Sequence, residues 1–292
     1  MNRILFEPGE ITDGVATFGG VRAEHVRKVL HGEVGQILKT GVLDGKIGTG
    51  EIIEMAGDEI RVRVTHDAEP LAPWVDLVLA PPRPRILKRL LPQLATMGVG
   101  RIVLVGAQKV EKDFWGATLL KEENYRPLLV DGLMQGCVST QVPVIEARRN
   151  FRRFVADELD GMFATSRRLV AHPGERNNRI IEWSNNRMGD GDRLLLAIGP
   201  EGGWTDEEVE LLEAHSFARY SLGSRILRTD TATIALLAQL MLSFQKEQRL
   251  SPTGQNARGN SGMPSPVDEW TRSGNESIEG VNQVNRRGVA RC

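Results

Sequence analysis

Two short segments in the carboxyl-terminal half of the chain carry residue types suited to holding a small polar ligand. Residues 199–203 read GPEGG, and residues 223–232 read GSRILRTDTA. Each follows an apolar stretch, at 194–198 and 218–222, that predicts a buried strand, and each runs into a predicted helix. Because such loops present bare backbone N–H and C=O groups, we expect them to bind an adenosine-type ligand at the carboxyl edge of an α/β sheet.

The first segment taken alone also fits a simpler interpretation. Many connections between strands and helices need glycine for a positive φ, and Glu201 would then be only a solvated carboxylate. The segment is neither a phosphate loop, since no Gly-Lys-Ser/Thr follows, nor a G-x-G-x-x-G dinucleotide fingerprint. The missing lysine disfavours a nucleotide hydrolase.

The second segment favours a binding site. Ile226 and Leu227 are apolar residues in a predicted loop, where they suit the wall of an adenine pocket. Arg225 and Arg228 add positive charge to the same loop. In the alternative interpretation, the arginines are surface charges and the two apolar residues plug the core.

The elements that must position these loops fall into two regions. The first 70 residues form short alternating runs broken by glycines, with one helical pattern at 23–30, which predicts a small β-barrel of a kind that often binds RNA. From residue 75, apolar strands alternate with amphipathic helices, the βαβ pattern of a mostly parallel sheet. Thr205 and Glu208 have capping-box spacing and mark a helix start. In this second region helices are predicted at 85–97, 119–134 and 176–183, and short strands at 162–166 and 169–171.

The predicted organisation is therefore a domain at residues 1–70, a second at 74–246, and a disordered tail at 250–292 that is rich in Ser, Gly, Asn, Pro and Arg. A net charge of −1 over 292 residues gives no bulk electrostatic argument for nucleic acid. Cys137 and Cys292 fit no metal or redox spacing. Neither a signal-peptide pattern nor a membrane-spanning stretch is found, so we expect a soluble, cytoplasmic protein.

Together the two segments and the acidic helix start TDEE at 205–208 resemble the RsmE family, the 16S ribosomal RNA uridine-N3 methyltransferases of the SPOUT class. The resemblance extends weakly over residues 1–245 and includes HVRKVL at 25–30. It implies an α+β two-domain fold, in which a PUA-like β-barrel precedes an α/β SPOUT methyltransferase domain with a trefoil knot. It also implies S-adenosylmethionine as cofactor, ribosomal RNA as substrate, a homodimer, and no metal.

By motif matching, the resemblance implies cofactor contacts from ten residues: Leu79, Gly199, Pro200, Glu201, Gly202, Leu222, Gly223, Ile226, Leu227 and Arg228. If the acceptor is uridine N3, its proton must leave and negative charge spreads over the flanking carbonyls. Arg228 is the candidate that stabilises this anion. Glu201 is the candidate that orients the base or assists proton removal.

RNA binding needs basic residues that face phosphates. The candidates are Arg3, Arg27 and Lys28 on the predicted barrel, and Arg83, Arg85, Lys88 and Arg89 after the first strand of the second domain. A further cluster comprises Arg148, Arg149, Arg152 and Arg153. Each cluster is also typical of a solvated helix face.

The sequence departs from the family pattern at three positions. Met97 and Met134 stand in motifs where the family has other residues, and Asp230 replaces the usual Glu. The first two departures are expected on the substrate side, so the target base is left open. The alternatives are a SPOUT enzyme acting on another rRNA or tRNA base, and a catalytically idle RNA-binding or assembly factor of the same fold.

Overall fold

A computed structural model describes residues 2–173 and 192–250 of the chain. The helix predicted at 176–183 and the tail beyond residue 250 lie outside the described residues. Contacts join the two sheets of the structure into one compact unit that ends at Ser243. The division of this unit into two domains stays a prediction.

The first sheet is mixed and has six strands in the order β1-β4-β5-β6-β3-β2. Only β1 and β4 pair in parallel. Phe6, Phe18, Val26 and Ile60 are buried in its core. The glycine-punctuated alternation of the sequence predicted these strands except β1, which is too short to show a period. The strands are β1 (Ile4–Phe6), β2 (Ile11–Thr12), β3 (Val15–Phe18), β4 (Ile37–Val42), β5 (Ile47–Ala56) and β6 (Glu59–Ala68), and helix α1 covers Gly20–Lys28.

The second sheet is parallel throughout and has the order β12-β10-β11-β7-β8-β9. Its parallel pairing agrees with the βαβ pattern of the sequence. The strands are β7 (Val75–Leu79), β8 (Val99–Val105), β9 (Val144–Arg148), β10 (Arg167–Ala171), β11 (Leu194–Ile198) and β12 (Ala218–Tyr220). Strand β9 was not predicted, because its exposed residues interrupt the apolar run.

Helices cover both faces of this sheet. They are α2 (Pro84–Thr96), α3 (Glu122–Gly136), α4 (Phe151–Asp157), α5 (Leu159–Met162), α6 (Asp206–Ala214) and α7 (Thr229–Leu250). The strand predicted at 162–166 is wrong: α5 ends there, and Phe163 is buried in the core between the helices and the sheet. Thr205 caps α6 with Glu208 in the predicted capping box. No helix in the described part of the chain has the length and apolarity needed to cross a bilayer.

Because all strands of the second sheet run the same way, their carboxyl ends lie at one edge. The chain adds β8 and β9 on one side of β7 and then returns to the other side, where β11 lies between β7 and β10, and β12 lies beyond β10. Such a reversal opens a crevice at the carboxyl edge, where α/β proteins bind their ligands. The two glycine segments follow β11 and β12, so the topology places both at this edge.

A buried ion pair lies near the opposite, amino edge. The Asp76 side chain is 8% exposed, and its Oδ1 lies 3.2 Å from Nη1 of Arg193. Burial raises the pKa of Asp76, and the nearby charges of Arg193 and Arg101 oppose this shift only in part. The folded protein therefore binds a proton at Asp76 more tightly than the unfolded chain does. This contribution to stability falls as pH rises from the ordinary Asp value through the raised pKa.

We expect Arg193→Ala to lower the free energy of unfolding by about 2 kcal/mol near neutral pH, because the buried carboxylate loses its partner. The loss should shrink at about pH 4, where a protonated Asp76 needs no partner. Chemical denaturation at the two pH values measures both effects. Arg219→Ala is the matched control, since its partner Glu213 is on the surface, and it should cost less than about 1 kcal/mol. Equal losses for the two variants would contradict the burial argument.

Candidate functional site

A cavity of about 340 Å³ lies at the carboxyl ends of β10, β11 and β12. Residues 171–173, 198–204, 220–223 and 225–227 line it, with Thr229, Ala232 and Leu236 of α7. Its volume is within the usual range for small-molecule sites. The structure therefore brings the two glycine segments together around one space.

The loop after β11 needs its glycines. The Gly203 N–H donates to the Pro200 carbonyl at 2.8 Å, which closes a tight turn, and Gly203 has φ +72°. A Cβ at Gly199 would lie 3.1 Å from Cδ1 of Trp204, and one at Gly202 would lie 2.9 Å from Cδ of Lys109. Side chains at these positions would displace the loop or its neighbours, so glycine allows the loop to pack closely against Trp204 and Lys109.

A buried carboxylate helps to hold this loop in place. Glu208 is 4% exposed, and its oxygens accept hydrogen bonds from the backbone N–H of Thr205 at 2.9 Å and of Gln108 at 2.8 Å. Lys109 Nζ also donates to the Gly202 carbonyl at 2.9 Å. The segment after β8 thus holds the glycine loop in place.

The loop after β12 is open to solvent on its outer side. Gly223 has φ +111°, and its N–H donates to Ser221 Oγ at 3.1 Å. Ile226 is 91% and Leu227 37% exposed. The interpretation in which these two residues plug the core is therefore wrong. They form an apolar rim of the cavity.

Eight of the ten residues predicted to contact a cofactor line the cavity: Gly199, Pro200, Glu201, Gly202, Leu222, Gly223, Ile226 and Leu227. Leu79 does not, because it is fully buried in β7 and paired with Ile198. Arg228 is exposed and lies between the rim of the cavity and the start of α7. The cofactor contacts of these two residues stay predictions.

The lining residues that were not predicted as cofactor contacts include three with aromatic side chains: His172, Trp204 and Tyr220. Tyr220 ends a strand, where an aromatic residue is typical of the core, so its sequence position gave no functional signal. Burial raises the pKa of Tyr220 to about 12. The Tyr220 hydroxyl and the Trp204 indole nitrogen are both buried, and neither has a hydrogen-bond partner among the residues that the structure describes.

The basic residues at the start of α2 lie beside the cavity. Arg83, Arg85, Lys88 and Arg89 are all exposed. Arg89 Nη2 lies 3.6 Å from Oδ2 of Asp230, the second residue of α7. We call these four residues the α2 cluster. The Arg89–Asp230 contact places this cluster next to the start of α7, whose Thr229 lines the cavity.

The first sheet offers less to RNA than the sequence predicted. Arg3 is 8% exposed and donates to the backbone carbonyls of Cys137, Thr40 and Gly48. The assignment of Arg3 to RNA binding is therefore wrong, since its guanidinium joins the first sheet to the end of α3. Arg27 donates to three carbonyls of the β5–β6 turn, and the exposed Lys28 pairs with Glu24 at 2.6 Å.

The cluster at 148–153 is largely neutralised by acidic neighbours. Arg148 pairs with Glu146 and Glu158. Arg152 pairs with Glu207, and Arg153 with Asp157. In the α2 cluster, Arg83 pairs with Glu111 and Arg89 with Asp230, and among the described residues no ion pair is found for Arg85 or Lys88. Arg85 and Lys88 are therefore the better candidates for an RNA surface.

Two of the departures from the family pattern lie away from the cavity. The Met97 carbonyl accepts from Nε1 of Trp74 at 2.7 Å, near the amino edge of the sheet. Met134 is buried in α3, and its carbonyl accepts from the backbone N–H of Asn2 and Arg3. Neither methionine lines the site, whereas Asp230 adjoins it.

Comparison with known proteins identifies the family to which this chain is similar. Residues 69–241 match a family model described as an RNA methyltransferase domain. The ribosomal RNA small subunit methyltransferase E of Treponema pallidum is 30% identical over 259 residues, which cover 86% of this chain and 95% of that protein. Methyltransferase E 1 of Borreliella burgdorferi is 27% identical over 241 residues, 80% of this chain and 95% of its own.

Solved structures show the same fold. A methyltransferase from Legionella pneumophila, solved with bound S-adenosylmethionine, superposes with a TM-score of 0.64 at 25% identity, over 83% of this chain and 97% of that one. The small subunit methyltransferase E of Neisseria gonorrhoeae superposes with a TM-score of 0.62 at 18% identity, over 83% of this chain and 97% of that one. The family model matches more than half of this chain, and the Treponema pallidum relative is 30% identical over most of both proteins. This chain therefore belongs to the ribosomal RNA small subunit methyltransferase E (RsmE) family of RNA methyltransferases.

Proposed function

We propose that this protein transfers a methyl group from S-adenosylmethionine to N3 of a uridine in 16S ribosomal RNA. The observation that carries the proposal is the cavity between the two glycine loops at the carboxyl edge of the parallel sheet. The names of the relatives, which are small subunit rRNA methyltransferases, support the substrate.

The residues of the cavity fit S-adenosylmethionine. Glycine at 199 and 202 lets the loop pack closely against Trp204 and Lys109, and the backbone of both residues lines the cavity. Ile226 and Leu227 provide apolar surface for a purine, and the glycine loops provide N–H and C=O groups for its polar atoms. The buried indole nitrogen of Trp204 adds a donor without a partner in the structure.

When bound, S-adenosylmethionine supplies an electrophilic methyl group. The chain's own residues must then align the acceptor and stabilise the charge that develops on it. Arg228, a permanent cation at the rim, would stabilise the anion left by loss of the N3 proton. Glu201 lines the cavity with an exposed carboxylate, which can orient the base or accept that proton.

The RNA would approach over the α2 cluster, with the target base flipped out or single-stranded. We expect the double variant Arg85→Ala with Lys88→Ala to weaken binding of a 16S RNA fragment about 3- to 30-fold. The dependence of log Kd on log salt should fall by roughly one unit per lost phosphate contact. Filter binding at several salt concentrations measures both quantities. Arg61→Ala, on the exposed Glu54 pair of the first sheet, is the control. An unchanged salt dependence in the double variant would contradict this surface.

We extend the proposal to the architecture implied by the family resemblance. The mixed first sheet with one helix supports a PUA-like barrel at 1–70, and the adjoining loops after β11 and β12 support a knotted SPOUT domain at 74–246. We also propose that the protein is a homodimer, that it is cytoplasmic, and that it uses no metal. Within residues 2–173 and 192–244, whose side chains the structure describes, no three His, Cys, Asp or Glu side chains are grouped to hold a metal ion. Sedimentation at several concentrations tests the dimer.

The function is tested by mass spectrometry of nucleosides from 16S RNA that has been incubated with the enzyme and S-adenosylmethionine. RNA from a strain lacking the gene is the substrate, and 3-methyluridine is the expected product. A different methylated nucleoside would identify another target base. Failure to bind S-adenosylmethionine by calorimetry would instead favour an RNA-binding factor that does no chemistry.

A further inference from the structure

Tyr220 carries a buried hydroxyl that the fold itself does not use. The residue is 2% exposed, and its hydroxyl oxygen is buried without a hydrogen-bond partner in the structure. Buried polar groups are nearly always paired, because an unpaired one loses its bonds to water and gains nothing in return. The orphaned hydroxyl therefore needs an explanation.

The strand geometry places this side chain on the cavity side of the sheet. Successive side chains of a strand point to opposite faces. Arg219 binds Glu213 of α6, so Tyr220 faces the other way, towards α7. Ala232 and Leu236 of α7 line the same cavity as Tyr220.

We propose that the Tyr220 hydroxyl binds a polar atom of the S-adenosyl ligand and is a determinant of its affinity. This inference rests on the proposed function of the cavity. The phenol is suited to the role because it stays protonated at any physiological pH, so it is always able to donate.

The test is Tyr220→Phe, which removes only the hydroxyl. We expect the Kd for S-adenosylhomocysteine, measured by calorimetry, to rise about 10-fold. The melting temperature of the ligand-free protein should stay the same or rise, because the variant buries one unpaired polar group fewer. A hydroxyl with a purely structural role would give the reverse pattern, unchanged affinity with a lower melting temperature, and that result would overturn the proposal.

The chain offers a matched control, since Tyr125 is its one other tyrosine and lies on α3 outside the cavity. Tyr125→Phe should leave the Kd unchanged. It also assigns the two signals of a protein labelled with ¹³Cζ-tyrosine. We expect S-adenosylhomocysteine to shift the Tyr220 signal; an unmoved Tyr220 signal would overturn the proposal. Wild-type protein that binds no S-adenosylhomocysteine would refute the proposed function itself, whereas normal wild-type binding with unchanged affinity in Tyr220→Phe would refute only this inference.

Discussion

Arg228→Ala is expected to reduce kcat for RNA methylation about 100- to 1,000-fold, the usual effect of removing one group that stabilises developing charge. Arg228 is exposed, so its loss should leave the fold intact. It does not line the cavity, and we therefore expect the Kd for S-adenosylmethionine to change little. Single-turnover methylation and calorimetry separate the two effects.

Arg85→Ala in the α2 cluster is the matched control, since Arg85 is an exposed arginine that does not line the cavity. Arg228→Lys keeps the charge but loses the planar, forked donor geometry, and it should recover part of the rate. Full activity in Arg228→Ala would remove Arg228 from the mechanism. Equal rate losses at both arginines would point to RNA affinity instead of charge stabilisation.

Gly223→Val is expected to weaken binding of S-adenosylmethionine about 100-fold. Gly223 has φ +111°, a region that a β-branched residue scarcely enters. The loop must change its backbone path, which moves Leu222 and Ile226 at the cavity wall. The strain should also lower stability by about 1–3 kcal/mol. Calorimetry and chemical denaturation measure the two quantities.

Gly35→Val separates strain from binding. Gly35 has φ +92° in an exposed turn of the first sheet, where an added Cβ would meet no atom within 4 Å. It should lose similar stability and keep normal affinity for the ligand. If both variants bound S-adenosylmethionine normally, the loop after β12 would not belong to the site.

Much of the fold could be predicted from local patterns. Long apolar strands such as β7 and β11 are buried on both faces and show as continuous apolar runs. Elements that depend on contacts far along the chain were missed. Strand β9 has mostly partly exposed residues and gains its place only by pairing with β8. The strand predicted at 162–166 failed because Phe163 is buried beside a short helix, and an apolar run cannot distinguish the two.

The features of the site also divide into those that the local sequence predicts and those that depend on contacts far along the chain. Glycine is needed where the backbone has a positive φ or packs closely, and this is a local property. The two loops could therefore be predicted from the sequence, as could the capping box at Thr205. The partner of a long charged side chain is not a local property. Arg3 was assigned to RNA, but it binds carbonyls of residues 37 to 134 positions away. Burial changes the role of an arginine without changing the sequence around it.

The sequence by itself determined the two glycine loops, the helix starts that follow them, and the family they resemble, because turn geometry and capping act over a few residues. Only the tertiary structure decided that both loops enclose one cavity, that Arg3 is internal, and that the Tyr220 hydroxyl is buried beside that cavity. These facts depend on which strands become neighbours. Parallel order in a sheet is set by the burial of whole elements, which no short stretch of sequence records.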